Sequence, residues 1–275
     1  MGNVIYCETK ETTAPFIFAN TRIAVYSYEE VCYYIFHHPS MMSMDNFGAE
    51  FTEWLREKLH LEELADSLEK LEASECTLLT YLETLLLAAN YYDKHEVALF
   101  FERLKTEQSL PKALQLKKQA DSFLDFHKYV RAIRIYDDVL KQEGLEAEFR
   151  STIYHNKGVA LSKNFELKPA LKCFKMAYET YPNEVSLSCY LTIFFMLNQY
   201  VEAKKEAERL EVSAKLYERL LKDYKRSMSG FEETEQYEEY QKIKDAFQYG
   251  QEKKAEARID QLLHEWKEEY RVQTT

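Results

Sequence analysis

Chain breakers are scarce in this sequence. It holds six glycines and five prolines in 275 residues, where an average chain of that length would hold roughly thirty. Glycine supplies positive φ and proline cannot continue a helix, so their shortage points to long helices. It argues against a loop-rich β-sandwich or barrel, and against folds that cradle a nucleotide in a glycine loop. With 46% hydrophobic residues the chain can bury a substantial core. The expected class is all-α, in one or two domains.

Charge narrows the partners. Lys and Arg number 36 against 47 Asp and Glu, a net charge of -11. No Lys/Arg run exceeds two residues, so a phosphate backbone or an anionic membrane finds no concentrated basic patch. A protein partner of basic character is electrostatically favoured. The five cysteines, Cys7, Cys32, Cys76, Cys173 and Cys189, are odd in number and lack C-x-x-C spacing. That is the pattern of free thiols in a reducing compartment rather than of a disulfide framework or zinc site. The most apolar long stretch, Leu78 to Phe101, is interrupted by Glu83, Asn90, Asp93, Lys94, His95 and Glu96 and is too polar to span a bilayer. No basic-then-apolar leader is evident. A cytoplasmic protein is expected.

The first 44 residues read differently from the rest. Ala14–Ala19 and Arg22–Tyr26 are β-prone runs joined at Asn20-Thr21, a candidate hairpin. Ser27-Tyr28-Glu29-Glu30 has capping-box spacing and opens a helix that should stop near His37-His38-Pro39. From Asp45 onward apolar residues recur every three or four positions. The stripes are Phe47/Phe51/Trp54/Leu55/Leu59, then Leu61/Leu64/Leu68/Leu71, then Leu78/Leu82/Leu85/Leu86/Ala89, then Val97/Phe100/Phe101/Leu104. Short links between them predict antiparallel helix pairs over 45–112.

A repeat begins near Ala113. Ala120 is followed twelve residues later by Ala132, then by Tyr136 and Val139. Gly158 is followed twelve residues later by Ala170, then by Phe174, Ala177 and Pro182. Small residues at the first two positions let paired helices approach closely, and the proline stops the second helix. On these residues, 113–217 resembles the tetratricopeptide repeat family. Tyr154, Gly158, Leu161, Ala170, Phe174, Ala177 and Pro182 fill the central copy. Leu116, Ala120, Phe123, Tyr129, Ala132, Tyr136 and Val139 fill the one before, with Gly144 at the family's proline position and the extra residues of a long step placed around Gly144–Glu148. A degenerate third copy takes Thr192, Ala203, Ala207 and Leu210. Its turn near Asn198-Gln199-Tyr200 reads one residue short, and with Lys215 in the proline slot its second helix is expected to run on towards Tyr224. Weaker pairs lie at 78–107, where Ala98 takes a motif position, and at 232–270, where Ile243 holds the small-residue slot before Ala255. Residues 218–275 are read as a capping pair.

The resemblance implies a right-handed α-solenoid whose first helices line a concave groove. The inward positions are then Lys117, Asp121 and Leu124; Thr152, His155, Asn156, Val159 and Ser162; and Ser186, Cys189, Tyr190, Ile193 and Met196. Asn156 offers both donor and acceptor to a peptide backbone, and Lys117 would attract a carboxylate. The family's chaperone clamp is not reproduced. Lys117 and Asn156 match it, but Asp121, Ser186 and Tyr190 do not.

No phosphate-binding glycine motif, H-E-x-x-H, nucleophile elbow or zinc array is present. His37-His38 points its rings about 100° apart on a helix, which suits solvation at a helix end better than chelation. The reading is a non-catalytic adaptor, with no cofactor, that binds a peptide or partner protein in the groove. A peptide sensor that changes solenoid curvature is the alternative. An enzyme built on Cys32, His37 and His38 has only residue type behind it.

Overall fold

The scarcity of chain breakers has its expected consequence. The computed structural model describes residues 9–88 and 91–274, and among these it contains fourteen α-helices and one two-stranded sheet. No helix among the described residues is long and apolar enough to cross a membrane. The chain divides into two compact units, Met1–Lys141 and Gln142–Thr275. The division falls in the loop that carries Gly144, at φ 72°.

The first unit opens on the expected hairpin. Strands β1 (Phe16–Phe18) and β2 (Ile23–Val25) pair antiparallel, with Phe16 opposite Val25 and Phe18 opposite Ile23. The connection is longer than an Asn-Thr turn. It takes four residues and closes with Arg22 at φ 60°, its N–H donating to Phe18 O at 2.7 Å. Helix α1 (Tyr28–His37) follows. The Ser27 side chain accepts from Glu30 N–H, while the Glu30 carboxylate accepts from Tyr26 N–H at 2.5 Å. The hairpin is built into the unit through aromatic rings. Phe18 stacks on Tyr34 at 4.2 Å, Phe16 packs edge-on to Phe51 at 5.0 Å, and Trp54 Nε1 donates to Ala14 O at 2.8 Å.

Six more helices complete this unit: α2 (Ala49–Glu57), α3 (Glu62–Ala73), α4 (Leu78–Ala88), α5 (Lys94–Ser109), α6 (Lys112–Asp125) and α7 (Tyr129–Leu140). Two expectations shift. Phe47 lies before α2 rather than on it, because Gly48 at φ 136° turns the chain there. Ala98 on α5 is exposed, and its neighbour Val97 is the buried residue. One residue of offset rotates a helix position by about 100°. Ala89 lies outside the described residues.

The second unit holds α8 (Ala147–Lys163), α9 (Leu167–Thr180), α10 (Glu184–Met196), α11 (Tyr200–Arg209), α12 (Ala214–Glu232), α13 (Glu235–Gln248) and α14 (Glu252–Thr274). The expected run-on from α11 does not occur. Glu211, at φ 54°, ends it, Val212 N–H donates back to Ala207 O, and Ser213 caps a separate α12.

One turn recurs in both units. The first helix of a pair ends at a left-handed residue: His127, Phe165, Asn198 and Gly250, with φ between 57° and 70°. The next N–H donates five residues back, Lys128 to Phe123 O, Glu166 to Leu161 O, Gln199 to Phe194 O and Gln251 to Ala246 O, at 2.7–2.9 Å. This 6→1 bond satisfies a carbonyl that the helix end would leave unpaired. Five residues beyond each left-handed position stands a buried alanine: Ala132, Ala170, Ala203 and Ala255. The third turn is therefore not short. The residue twelve before Ala203 is Leu191, fully buried, and it takes the slot assigned to Thr192, which is only partly buried.

Candidate functional site

The residues that the sequence places on a groove divide between the two units. Lys117 and Asp121 sit on α6 in the first. Lys117 Nζ lies 2.5 Å from Asp121 Oδ2, one turn along the same helix, and Asp121 Oδ1 accepts from the Tyr136 hydroxyl at 2.5 Å. Their charges are thus spent on each other and on α7. The expected capture of a carboxylate by Lys117 has to compete with that pair. Leu124 is half-buried nearby in sequence.

The other ten lie on α8 and α10 of the second unit. Ser186, Tyr190 and Ile193 are buried, each no more than 3% exposed. This corrects the reading of Tyr190 and Ile193 as contact surface; Ser186, though buried, still lines a cleft. The Tyr190 hydroxyl donates to Glu206 Oε2 on α11 at 3.1 Å, and its ring packs edge-on to Phe194. Tyr190 and Ile193 are core residues of the α10 pairings. Thr152, His155, Asn156, Val159 and Cys189 remain partly accessible, and Met196 is exposed. Burial raises the Cys189 thiol above its ordinary range.

Three of the ten meet at one place. Thr152 and His155 from α8 and Ser186 from the first turn of α10 line a cleft of about 200 Å³. Asn183 builds its α10 wall. Its side chain caps the helix by accepting from Ser186 N–H at 2.8 Å. This holds the Ser186 hydroxyl 3.0 Å from His155 Nδ1. The His155 ring also lies edge-on to Phe174, 5.4 Å away, so its position is set from two sides. Ser151 closes the floor by donating to Ala177 O at 2.8 Å, tying α8 to the end of α9. Glu148, Tyr181 and Val185 complete the rim.

The sequence reading missed Glu148, Ser151, Tyr181, Asn183 and Val185 as neighbours of His155. Pro182-Asn183 followed by Ser186 is a recognisable helix start, and it was the available signal for a wall at this point.

Burial lowers the His155 pKa from its ordinary 6.5. The sign of the consequence follows. Below pH 6.5 the unfolded chain binds a proton that folded His155 resists, so stability is lost as pH falls through that value. Urea unfolding read by hydrogen exchange of the α8–α10 amides is expected to move to lower midpoint between pH 7.5 and 5.5. A His155→Gln variant should show a smaller pH-dependent loss. Equal losses in the two proteins would contradict the assignment.

Other openings are less apt. A groove of about 650 Å³ runs between α13 and α14, and three of its charges are spent on one another, with Glu239 bridging Lys242 at 2.7 Å and Arg258 at 2.8 Å. In the first unit Cys32 is fully buried, and burial pushes its thiol up, away from a nucleophilic thiolate. His37 is exposed, whereas His38 is half-buried against Phe126 at 4.6 Å and its pKa is lowered chiefly by burial, which corrects the reading of both as solvated. Among the described residues no three His, Cys, Asp or Glu side chains gather to hold a metal ion.

No family model, curated protein or solved structure matches this chain.

Proposed function

We propose that the protein is a non-catalytic adaptor whose second unit binds a peptide segment of a protein partner, and that its helix pairs are tetratricopeptide-like repeats of a right-handed solenoid. The observation that carries this reading is the α8–α10 cleft. Three side chains assigned to the repeat family's binding surface from sequence, Thr152, His155 and Ser186, line one opening of about 200 Å³. The recurring turn and the buried alanines at a constant offset support the repeat reading. The net charge of -11 favours a partner of basic character over nucleic acid or an anionic membrane. Cysteines without a pairing pattern fit a reducing compartment such as the cytoplasm.

The test compares proteins captured from source-cell lysate by three baits. The baits are the wild type, a Thr152→Arg/Val185→Arg variant that obstructs the cleft, and Val201→Arg, which alters a residue 64% exposed on α11 of the same unit. Partners lost by the cleft variant and kept by Val201→Arg are the expected result. Partners kept equally by both variants would remove the cleft from the functional surface.

A further inference from the structure

We propose that the α8–α10 cleft is a specificity pocket for a single lysine or arginine side chain of the bound segment, an inference that rests on the peptide-binding reading above. Size is the first constraint. Pockets for drug-sized ligands occupy about 300–1,000 Å³, and this cleft, at about 200 Å³, suits one long side chain.

Charge is the second. No lysine or arginine lines the cleft, while Glu148 stands on its rim. Among the described residues Glu148 has no ion-pair partner. The nearby Glu184 is already paired, to Arg219 at 2.8 Å. A carboxylate that keeps its charge available beside a cleft without cations recognises an ammonium or guanidinium and repels an anion.

The rest of the rim suits the stem of such a side chain. Val185 is 63% exposed and Tyr181 44% exposed, so both offer apolar surface at the cleft. Lysine and arginine carry three or four methylenes that pack on such surface while the charged end stays polar. The Tyr181 ring adds a face that attracts cations. The floor is committed elsewhere. Ser151 donates to Ala177 O and the Ser186 hydroxyl is held to His155, so recognition falls to the rim.

The probe is a random nonapeptide library with amidated C-termini, panned on the purified full chain. Enrichment of Lys or Arg at one position is expected, and Glu148→Gln should lower it about fivefold, the scale of an exposed ion pair. Glu148→Lys should replace it with enrichment of Asp or Glu. Glu148 is exposed in the first turn of α8, so both variants are expected to keep the wild-type circular dichroism spectrum. Bound peptides without a cationic position, or a cationic preference that survives Glu148→Lys, would overturn the pocket and leave peptide binding standing. No enrichment of any peptide on the wild type would overturn the peptide-binding reading itself.

Discussion

Gly158→Ala is expected to destabilise the second unit by about 1–2 kcal/mol, although the same exchange in an open helix stabilises. A Cβ built at Gly158 would lie 2.8–3.0 Å from three ring atoms of Phe174, closer than real contacts allow. Phe174 is 2% exposed and meets His155 edge-on, so the ring has little room to yield. Overpacking costs about 1–3 kcal/mol; contacts this short to a buried ring fall in the upper part, about 2–3 kcal/mol, and the gain in helix propensity offsets about 1 kcal/mol of that. Gly158→Leu should exceed ~3 kcal/mol by the same mechanism. Gly230 on α12 is the control. Nothing lies within 4 Å of its would-be Cβ, so Gly230→Ala should stabilise by about 0.5–1 kcal/mol. Urea unfolding of both variants, read by hydrogen exchange in α8 and α9, decides the matter. A Gly158→Ala protein as stable as the wild type would mean that α8 and α9 are not held at the close approach described. Combining Gly158→Ala with Phe174→Leu should cost less than the two single changes together, because the residues share one contact.

Phe18→Ala is expected to cost the first unit about 3–5 kcal/mol, the range for removing a buried phenylalanine. Phe18 is fully buried although it sits on a three-residue strand. Its ring stacks on Tyr34 of α1 and meets Phe16 and Phe47 edge-on at 5.2 and 6.4 Å. A two-stranded hairpin is marginal by itself in water. Here it borrows its stability from α1 and α2 and in turn covers them. The variant should therefore loosen amide protection throughout α1 and α2, not only in the strands. A loss confined to residues 16–25 would make the hairpin an appendage rather than part of the unit.

How much was legible can be judged from the helix pairs. Small residues twelve apart, Ala120 with Ala132 and Gly158 with Ala170, marked close helix approach, and they are buried where expected. The hairpin and the end of α1 were legible for similarly local reasons, from β-prone runs, a capping serine and a proline. The recurring turn was not. Its left-handed position holds histidine, phenylalanine and asparagine before it holds glycine, so no residue type announces it. The backbone hydrogen bond that defines it is indifferent to the side chain. That hidden regularity is why Thr192 was set in a slot that Leu191 occupies.

The binding surface was the least legible part. Ser186, Leu187, Tyr190, Leu191, Ile193, Phe194 and Phe195 of α10 are all buried, so the helix is covered on nearly every side. Periodicity separates an apolar face from a polar one, and it has nothing to separate in a helix packed against α9, α11 and α12. Which side of α10 is left open depends on where those neighbours end. Sequence alone determined the helical class and the close approaches at Ala120 with Ala132 and Gly158 with Ala170, because each follows from local backbone chemistry and side-chain size. The tertiary structure alone decided that Glu148, Tyr181 and Val185 share a cleft with His155, because their meeting depends on how α8 and α10 pack and on no pattern within either helix.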